Sequence, residues 1–232
     1  MRIIKIKIVT FNIRHGKGSF SKLNLEKIKE TIVKTKADIV GINEVDCHFS
    51  KRSEYVDQPR WLAEALNMDW RFGPAIKGNY GNLLLSKFPI RHSKNDIITT
   101  IPPFENRSIL ECDVEINEKT IKVFVSHFAL HSLLRKKHEQ TMLKKVKMSQ
   151  ENIIVMGDFN QLPKSRFSKQ MRQYVTDVWS RAGYGKGYTF PAIYPLFRLD
   201  FIYVSQKFKP IDVEVFSTTA SDHLPIIATI EI

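Results

Sequence analysis

The chain has 232 residues, of which 43% are hydrophobic, enough for one large domain with a substantial core. No stretch approaches the roughly 18 apolar residues that span a bilayer, and the opening Met1–Ile8 segment alternates lysine with isoleucine instead of forming the apolar run of a signal peptide. The formal net charge of +12 favours phosphate-bearing partners: nucleic acid, anionic lipid or a small phosphorylated molecule. Two cysteines, Cys47 and Cys112, supply neither a disulfide framework nor metal-site spacing, and read as reduced thiols of a cytoplasmic protein.

In chain order, residues 3–11 alternate as a strand, with Ile4, Ile6 and Ile8 against Lys5 and Lys7. Asn24 caps a helix with the apolar face Leu25, Ile28 and Ile32. Residues 38–45 form a buried strand carrying Glu44, and 58–66 a helix with Trp61, Leu62, Ala65 and Leu66 on one side. Strands follow near 82–86, 107–116 and 121–127, then a basic helix over 131–149. Further strands fall near 152–156, 199–204, 213–216 and 226–230. This pattern predicts a single α/β domain over 1–232 with two packed sheets and helices outside.

Polar residues recur where apolar strands end: Asn12, Glu44, His127, Asp158 and Asp222. Strand ends along one sheet edge converge, which builds a cleft from residues distant in sequence. Gly157-Asp158-Phe159-Asn160 follows the apolar run 153–156, and extended backbone there would point Asp158 and Asn160 the same way, toward one metal or one water. In isolation the segment also suits an ordinary Asp-Asn turn. Ser221-Asp222-His223-Leu224-Pro225 offers a histidine as acid, base or metal ligand. Asp200, at the start of the aromatic strand Phe201-Ile202-Tyr203, is placed to orient an imidazole.

Together with Thr10-Phe11-Asn12-Ile13-Arg14-His15-Gly16, Ile42-Asn43-Glu44, Tyr80-Gly81-Asn82 and Ser126-His127-Phe128, these motifs resemble the endonuclease/exonuclease/phosphatase superfamily across residues 10–225. Its members include deoxyribonuclease I-like nucleases, apurinic endonucleases, neutral sphingomyelinases, inositol polyphosphate 5-phosphatases and poly(A) deadenylases. The resemblance implies a four-layer α/β sandwich of two mixed sheets flanked by helices. It implies metal binding by Glu44, Asn12 and Asp222, and catalysis by Asp158, Asn160, Asp200 and His223, with His127 near the phosphate or leaving group. Asn82 and Arg14 are expected to bind substrate. One departure is Asn43, where the superfamily often has glutamine; the shorter amide keeps the hydrogen-bonding type.

An all-oxygen donor set without cysteine suits Mg²⁺ or Mn²⁺. The expected function is metal-dependent phosphodiester hydrolysis in a cytoplasmic monomer, with nucleic acid first among the substrates. A phospholipid or a small phosphate ester stands as the alternative, and a non-catalytic basic binding protein is the competing class. Two other segments carry open readings. Basic helix 131–149 is either a contact for polyanion or lipid or a solvated face, and the loop Tyr184–Phe190 either stacks a base or covers the core.

Overall fold

A computed structural model describes residues 3–19, 22–149 and 152–232; Met1 and Arg2, at the head of the segment weighed above as a signal peptide, lie outside them. The first sheet comprises β1 (Lys5–Asn12), β2 (Ile39–Asp46), β3 (Asp69–Ile76), β4 (Tyr80–Ser86), β11 (Lys209–Val215) and β12 (Ile226–Glu231), in the order β11-β12-β1-β2-β4-β3. The second comprises β5 (Ile90–Ile98), β6 (Arg107–Ile116), β7 (Lys119–Ser126), β8 (Ile153–Asp158), β9 (Val175–Asp177) and β10 (Asp200–Ser205), in the order β5-β6-β7-β8-β10-β9. Both sheets are mixed, because β1–β2 and β7–β8 run parallel while the remaining pairs are antiparallel.

The apolar residues of the central strands sort by the period-2 alternation of side chains. Ile6, Ile8, Ile39, Leu84, Val123, Val125, Ile154 and Met156 fill the space between the sheets. Their neighbours Val9, Phe11, Val40 and Ile42 face outward beneath α1 (Leu25–Thr35) and α2 (Gln58–Leu66). Phe124, Val155, Phe201 and Tyr203 face outward beneath α3 (Ser132–Ser149) and α4 (Arg166–Met171). Four layers result, as the family resemblance implies. A short α5 (Val178–Ala182) packs beside β10 and β11. Asn24 caps α1 as expected, its side-chain oxygen accepting from the Lys27 amide.

β2 crosses β8 between the sheets, where a Cβ on Gly41 would lie 2.4 Å from the Met156 sulfur, so any side chain there would displace Met156. Parallel pairing aligns Asn12 with Asn43, and antiparallel pairing aligns Asp200 with Asp158 and Ile226 with Thr10. Every polar strand end noted in the sequence therefore faces one end of the sandwich.

The sequence pattern does not reveal β3, β5 or β9, or the first half of β11. All four are edge strands. β5 reads Ile-Arg-His-Ser-Lys-Asn-Asp-Ile-Ile, polar along most of its length, which protects an edge from pairing but removes the alternation signal. β3 carries Gly73-Pro74, residues that argue against a strand unless it lies at an edge.

Candidate active site

Six segments supply the cleft: the ends of β1, β2, β7 and β8, the start of β10 and the loop before β12. From β1 comes Asn12, almost fully buried, whose amide donates to Glu44 Oε1 and to Asp158 Oδ2, both at 3.1 Å. Asn12 thus spans the two sheets. Its own Oδ1 accepts the Arg14 amide at 3.0 Å and fixes the tight turn Arg14–Gly16.

Glu44 leaves β2 at a bulge. Ile42 pairs with Leu83 and Val45 with Gly81, so two residues of β2 oppose Asn82 alone, and Glu44 adopts a left-handed backbone with φ +58°. Such a conformation costs a non-glycine residue on the order of 1 kcal/mol and persists where the surroundings over-determine it. Here the bulge turns the carboxylate toward Asn12. Burial pushes the Glu44 carboxyl up, but His15 and Asn12 beside it and the charge of His223 outweigh it and hold the group well below the usual carboxylate range. Glu44 is therefore ionised and available to a cation.

The loop after β2 braces this bulge. Buried Gln58 accepts the Asp46 amide at 3.0 Å and donates to the His15 carbonyl at 2.8 Å, tying the β2 bulge to the turn after β1. Arg52 makes two hydrogen bonds to buried Asp46, at 2.9 and 2.7 Å, and lies over the rings of Phe49 and Tyr80. The Arg52–Gln58 stretch is thus the support of the Glu44 side. Gln58→Ala would strand one buried donor and one buried acceptor, and the expected loss is about 2 kcal/mol or more. An unchanged urea midpoint would show that neither hydrogen bond matters.

Behind the cleft, the Asn43 amide nitrogen donates to Asn82 Oδ1 at 2.8 Å, while Asn43 Oδ1 accepts the Asp158 amide at 2.8 Å. The position where the superfamily often has glutamine is a structural bridge between the sheets. Asn82, expected to bind substrate, is buried and donates to Ser108, so it supports the cleft from behind. Gly157 has φ +141°, and a Cβ there would lie 1.9 Å from the Ser126 carbonyl oxygen, which leaves glycine the one residue that admits the turn into Asp158.

Asp158 is the hub. Its Oδ2, besides accepting from Asn12, lies 3.5 Å from His127 Nε2 and 3.7 Å from His223 Nε2. Burial pushes the carboxyl up to about 7, with Asp200 adding to the rise and His223 opposing it. Asn160 folds back in a left-handed conformation, its backbone amide on Asp158 Oδ1 at 2.9 Å. Its side chain donates to the Phe128 carbonyl and contacts His127 Nε2 at 3.2 Å, so the extended geometry expected for 158–160 is replaced by a turn, closed by Asn160 on its own neighbour. His127 is buried and pushed down to about 3 by burial and then by the Arg107 charge, which leaves it neutral and able to accept from Asn160.

His223 Nδ1 donates to Asp200 Oδ2 at 2.8 Å, and Phe190 covers the imidazole with 4.7 Å between ring centres. Burial opposes its charge, but Asp200 and then Asp158 outweigh burial and raise it to about 10. His223 is thus an imidazolium at neutral pH. Asp200 is set by a pair that the sequence did not expose: Arg198 holds Asp177 of β9 through two hydrogen bonds at 3.1 and 2.7 Å and lies over the Phe201 ring.

Asp222 is set apart. Its Oδ2 lies 3.3 Å from Arg14 Nε and its Oδ1 accepts from Ser221, which places it at the mouth with Arg14. The glycine-rich loop resolves toward covering: Gly183 and Gly187 pack on Trp179, and Trp179 Nε1 donates to the Gly185 carbonyl. Within Tyr184–Phe190, Phe190 alone has a recorded ring contact with a site residue.

For a cation, the Glu44 carboxylate is the fitting anchor, with Asp158 nearby as a second hard oxygen donor; Asn12, expected as a ligand, turns its amide nitrogen to both carboxylates while its Oδ1 holds the Arg14 amide. Asp158, Asp200 and His223 also cluster closely enough to hold an ion. There, however, the Asp200 oxygen is engaged by the imidazolium, whose charge would repel one. Cys47, His48 and Asp57 form another cluster, in which burial and Asp57 raise the thiol to about 11 and so disfavour the thiolate a metal needs.

A buried carboxylate–imidazolium pair facing a carboxylate–amide pair across two sheets defines the phosphoester-cleaving class of four-layer sandwich. The sequence profile of the Endonuclease/Exonuclease/phosphatase family matches residues 9–223, and the chain belongs to that family, whose members are typically metal-dependent hydrolases. It is similar to the uncharacterized protein YbhP of Escherichia coli strain K12, 27% identical over 248 residues, with 97% of this chain and 96% of that protein covered. Among solved structures it resembles an endonuclease/exonuclease/phosphatase family protein of Bacteroides thetaiotaomicron (17% identity, TM-score 0.84, covering 100% of this chain and 99% of that one). It also resembles the mannosyl-6-phosphatase Bt3783 of the same species (17%, TM-score 0.82, 97% and 99%). A further likeness is to D. rerio TDP2 complexed with a single-strand DNA product (19%, TM-score 0.74, 97% and 98%).

Proposed function

We propose that the chain is a Mg²⁺- or Mn²⁺-dependent phosphoester hydrolase acting on a phosphodiester. The observation that carries this reading is Asp158 Oδ2, which faces Asn12, His127 and cationic His223 at 3.1 to 3.7 Å. Glu44, with Asn12 beside it, would hold the metal, and the bound metal would neutralise phosphate charge and polarise phosphorus. Asp158, raised toward 7, is suited to accept a proton from the attacking water at neutral pH, and Asn12 and Asn160 fix its orientation. The imidazolium of His223, steadied by Asp200, would face the phosphoryl oxygens as their charge grows.

In the overall reaction the water oxygen bonds to phosphorus as the ester P–O bond breaks; Asp158 takes one proton of the water and later returns it to solvent, and the departing oxygen takes its proton from solvent. Neutral His127 and Arg14 stand at the edge of this arrangement, near the phosphate. The charge on His223 supports electrostatic stabilisation by that residue and the role of base for Asp158. The net charge of +12 suits nucleic acid, anionic lipid and a small phosphate ester alike.

The test is hydrolysis of bis-p-nitrophenyl phosphate. Chelation is expected to abolish turnover and Mg²⁺ or Mn²⁺ to restore it. Full activity in excess chelator, from protein shown by elemental analysis to be metal-free, would refute the reading.

A further inference from the structure

The turn after β1 is strained. Arg14, His15 and Gly16 stand in succession with φ of +46°, +47° and +81°. Each of the two non-glycine residues costs on the order of 1 kcal/mol there. Hydrogen bonds over-determine the turn. Asn12 Oδ1 accepts the Arg14 amide at 3.0 Å, the Ile13 carbonyl accepts the Gly16 amide at 2.9 Å, and the Gly16 carbonyl accepts the Asn24 amide at 2.9 Å. Gln58 donates to the His15 carbonyl and accepts the Asp46 amide, so one buried side chain fixes both this turn and the strand that carries Glu44.

What the strained turn positions is the His15 ring. Its Nδ1 lies 3.7 Å from Glu44 Oε2, beyond hydrogen-bond reach. That nitrogen is buried and has no hydrogen-bond partner among the described residues. A polar atom left in this state costs about 1–3 kcal/mol. A cation between the two atoms would satisfy both. Two donors on one ion, each at about 2.1 Å, stand roughly 3 to 4 Å apart, and the observed separation falls in that range. The side chains of His15 and Glu44 are 16% and 22% exposed, so an ion reaches the gap from the cleft.

The other polar groups of the cleft are turned elsewhere. Asn12 directs its nitrogen to the carboxylates and its oxygen to the Arg14 amide. His127 and His223 face Asp158, with Nε2 at 3.5 and 3.7 Å from its Oδ2. His15 is therefore the imidazole that stands against Glu44. A nitrogen beside a carboxylate changes which ion is preferred: Mg²⁺ takes oxygen donors, whereas first-row transition ions take imidazole as well.

We infer that His15 Nδ1 is a ligand of the ion anchored by Glu44, and that this mixed nitrogen–oxygen site selects Mn²⁺ over Mg²⁺. The inference rests on the metal-dependent hydrolase reading above. The test uses the whole chain loaded with Mn²⁺ alone. Pulsed electron paramagnetic resonance should show the ion coupled to an imidazole nitrogen. Asparagine tolerates a left-handed backbone, so His15→Asn keeps the turn. In it the coupling should vanish, Mn²⁺ should bind about tenfold or more weakly by calorimetry, and Mg²⁺ affinity should fall by less. His127→Gln and His223→Ala should each keep the coupling, which assigns it to His15 without any change in the strained turn.

Mn²⁺ bound to the unaltered chain without nitrogen coupling would overturn the inference and leave the hydrolase reading standing. So would coupling that persists in His15→Asn, or that disappears in His127→Gln or His223→Ala, or equal losses of Mn²⁺ and Mg²⁺ affinity in His15→Asn. An unaltered chain that binds no Mn²⁺ would sink both the inference and the hydrolase reading.

Discussion

Replacing His223 with alanine is expected to lower kcat by about 10²-fold or more, the loss typical of a positioned charge-stabilising or acid–base group. The fold should survive, because His223 sits in the loop between Ser221 and the start of β12, and its ring touches Phe190 and Asp200 at the edge of the core. Asp200→Asn should act in the same direction by less, and the double variant should be little worse than His223→Ala, because the pair acts as a unit.

The pH dependence carries the sign. His223 is raised from its ordinary 6.5 to about 10 by Asp200 and Asp158. The pair's contribution to stability is therefore fully present below about pH 6.5 and is lost as pH rises through about 10. In Asp200→Asn the imidazole should titrate lower, and the alkaline limb of the kcat profile should move toward neutrality. A double variant showing the full product of two independent losses, or an unmoved alkaline limb, would separate Asp200 from His223 and reassign it to the water or the metal.

Glu44→Gln is expected to lower activity by on the order of 10³-fold, since metal stabilisation of the transition state contributes several kcal/mol. The amide keeps the shape and can still accept from Asn12, so the bulge is retained and the charge alone is removed. Mn²⁺ affinity, read by calorimetry, should fall with the activity. Near-normal Mn²⁺ affinity in Glu44→Gln would move the anchor to another carboxylate of the cleft. Because the Glu44 carboxyl is held below its ordinary range, its contribution to stability is present above that range and lost as pH falls below it. The variant should accordingly show a flatter acid limb of denaturation than the unaltered chain.

The central strands were legible in the sequence because each buries at least one face and carries an apolar pattern, whereas their order in the sheets was not. The residues of the cleft were legible because they follow those strands: Asn12, Glu44, Asp158, Asp200 and His223 each stand at or next to a strand end. The edge strands were not legible, since an edge stays free of unwanted pairing by being polar or interrupted, and either feature erases the signal. The supports were also hidden. Gln58, Asn43 and the Asp177–Arg198 pair are ordinary polar residues in sequence, and their partners lie 12 to 115 positions away.

What the sequence by itself determined is which side chains could bear the proposed chemistry, because carboxylate, amide and imidazole have fixed donor and acceptor capacities wherever they stand. What the tertiary structure alone decided is their state and setting. Burial against Asp200 and Asp158 makes His223 a cation, while burial near Arg107 makes His127 neutral, although the two rings are chemically the same. Ionisation depends on the field of neighbours within a few ångströms, and those neighbours are fixed by strand pairing.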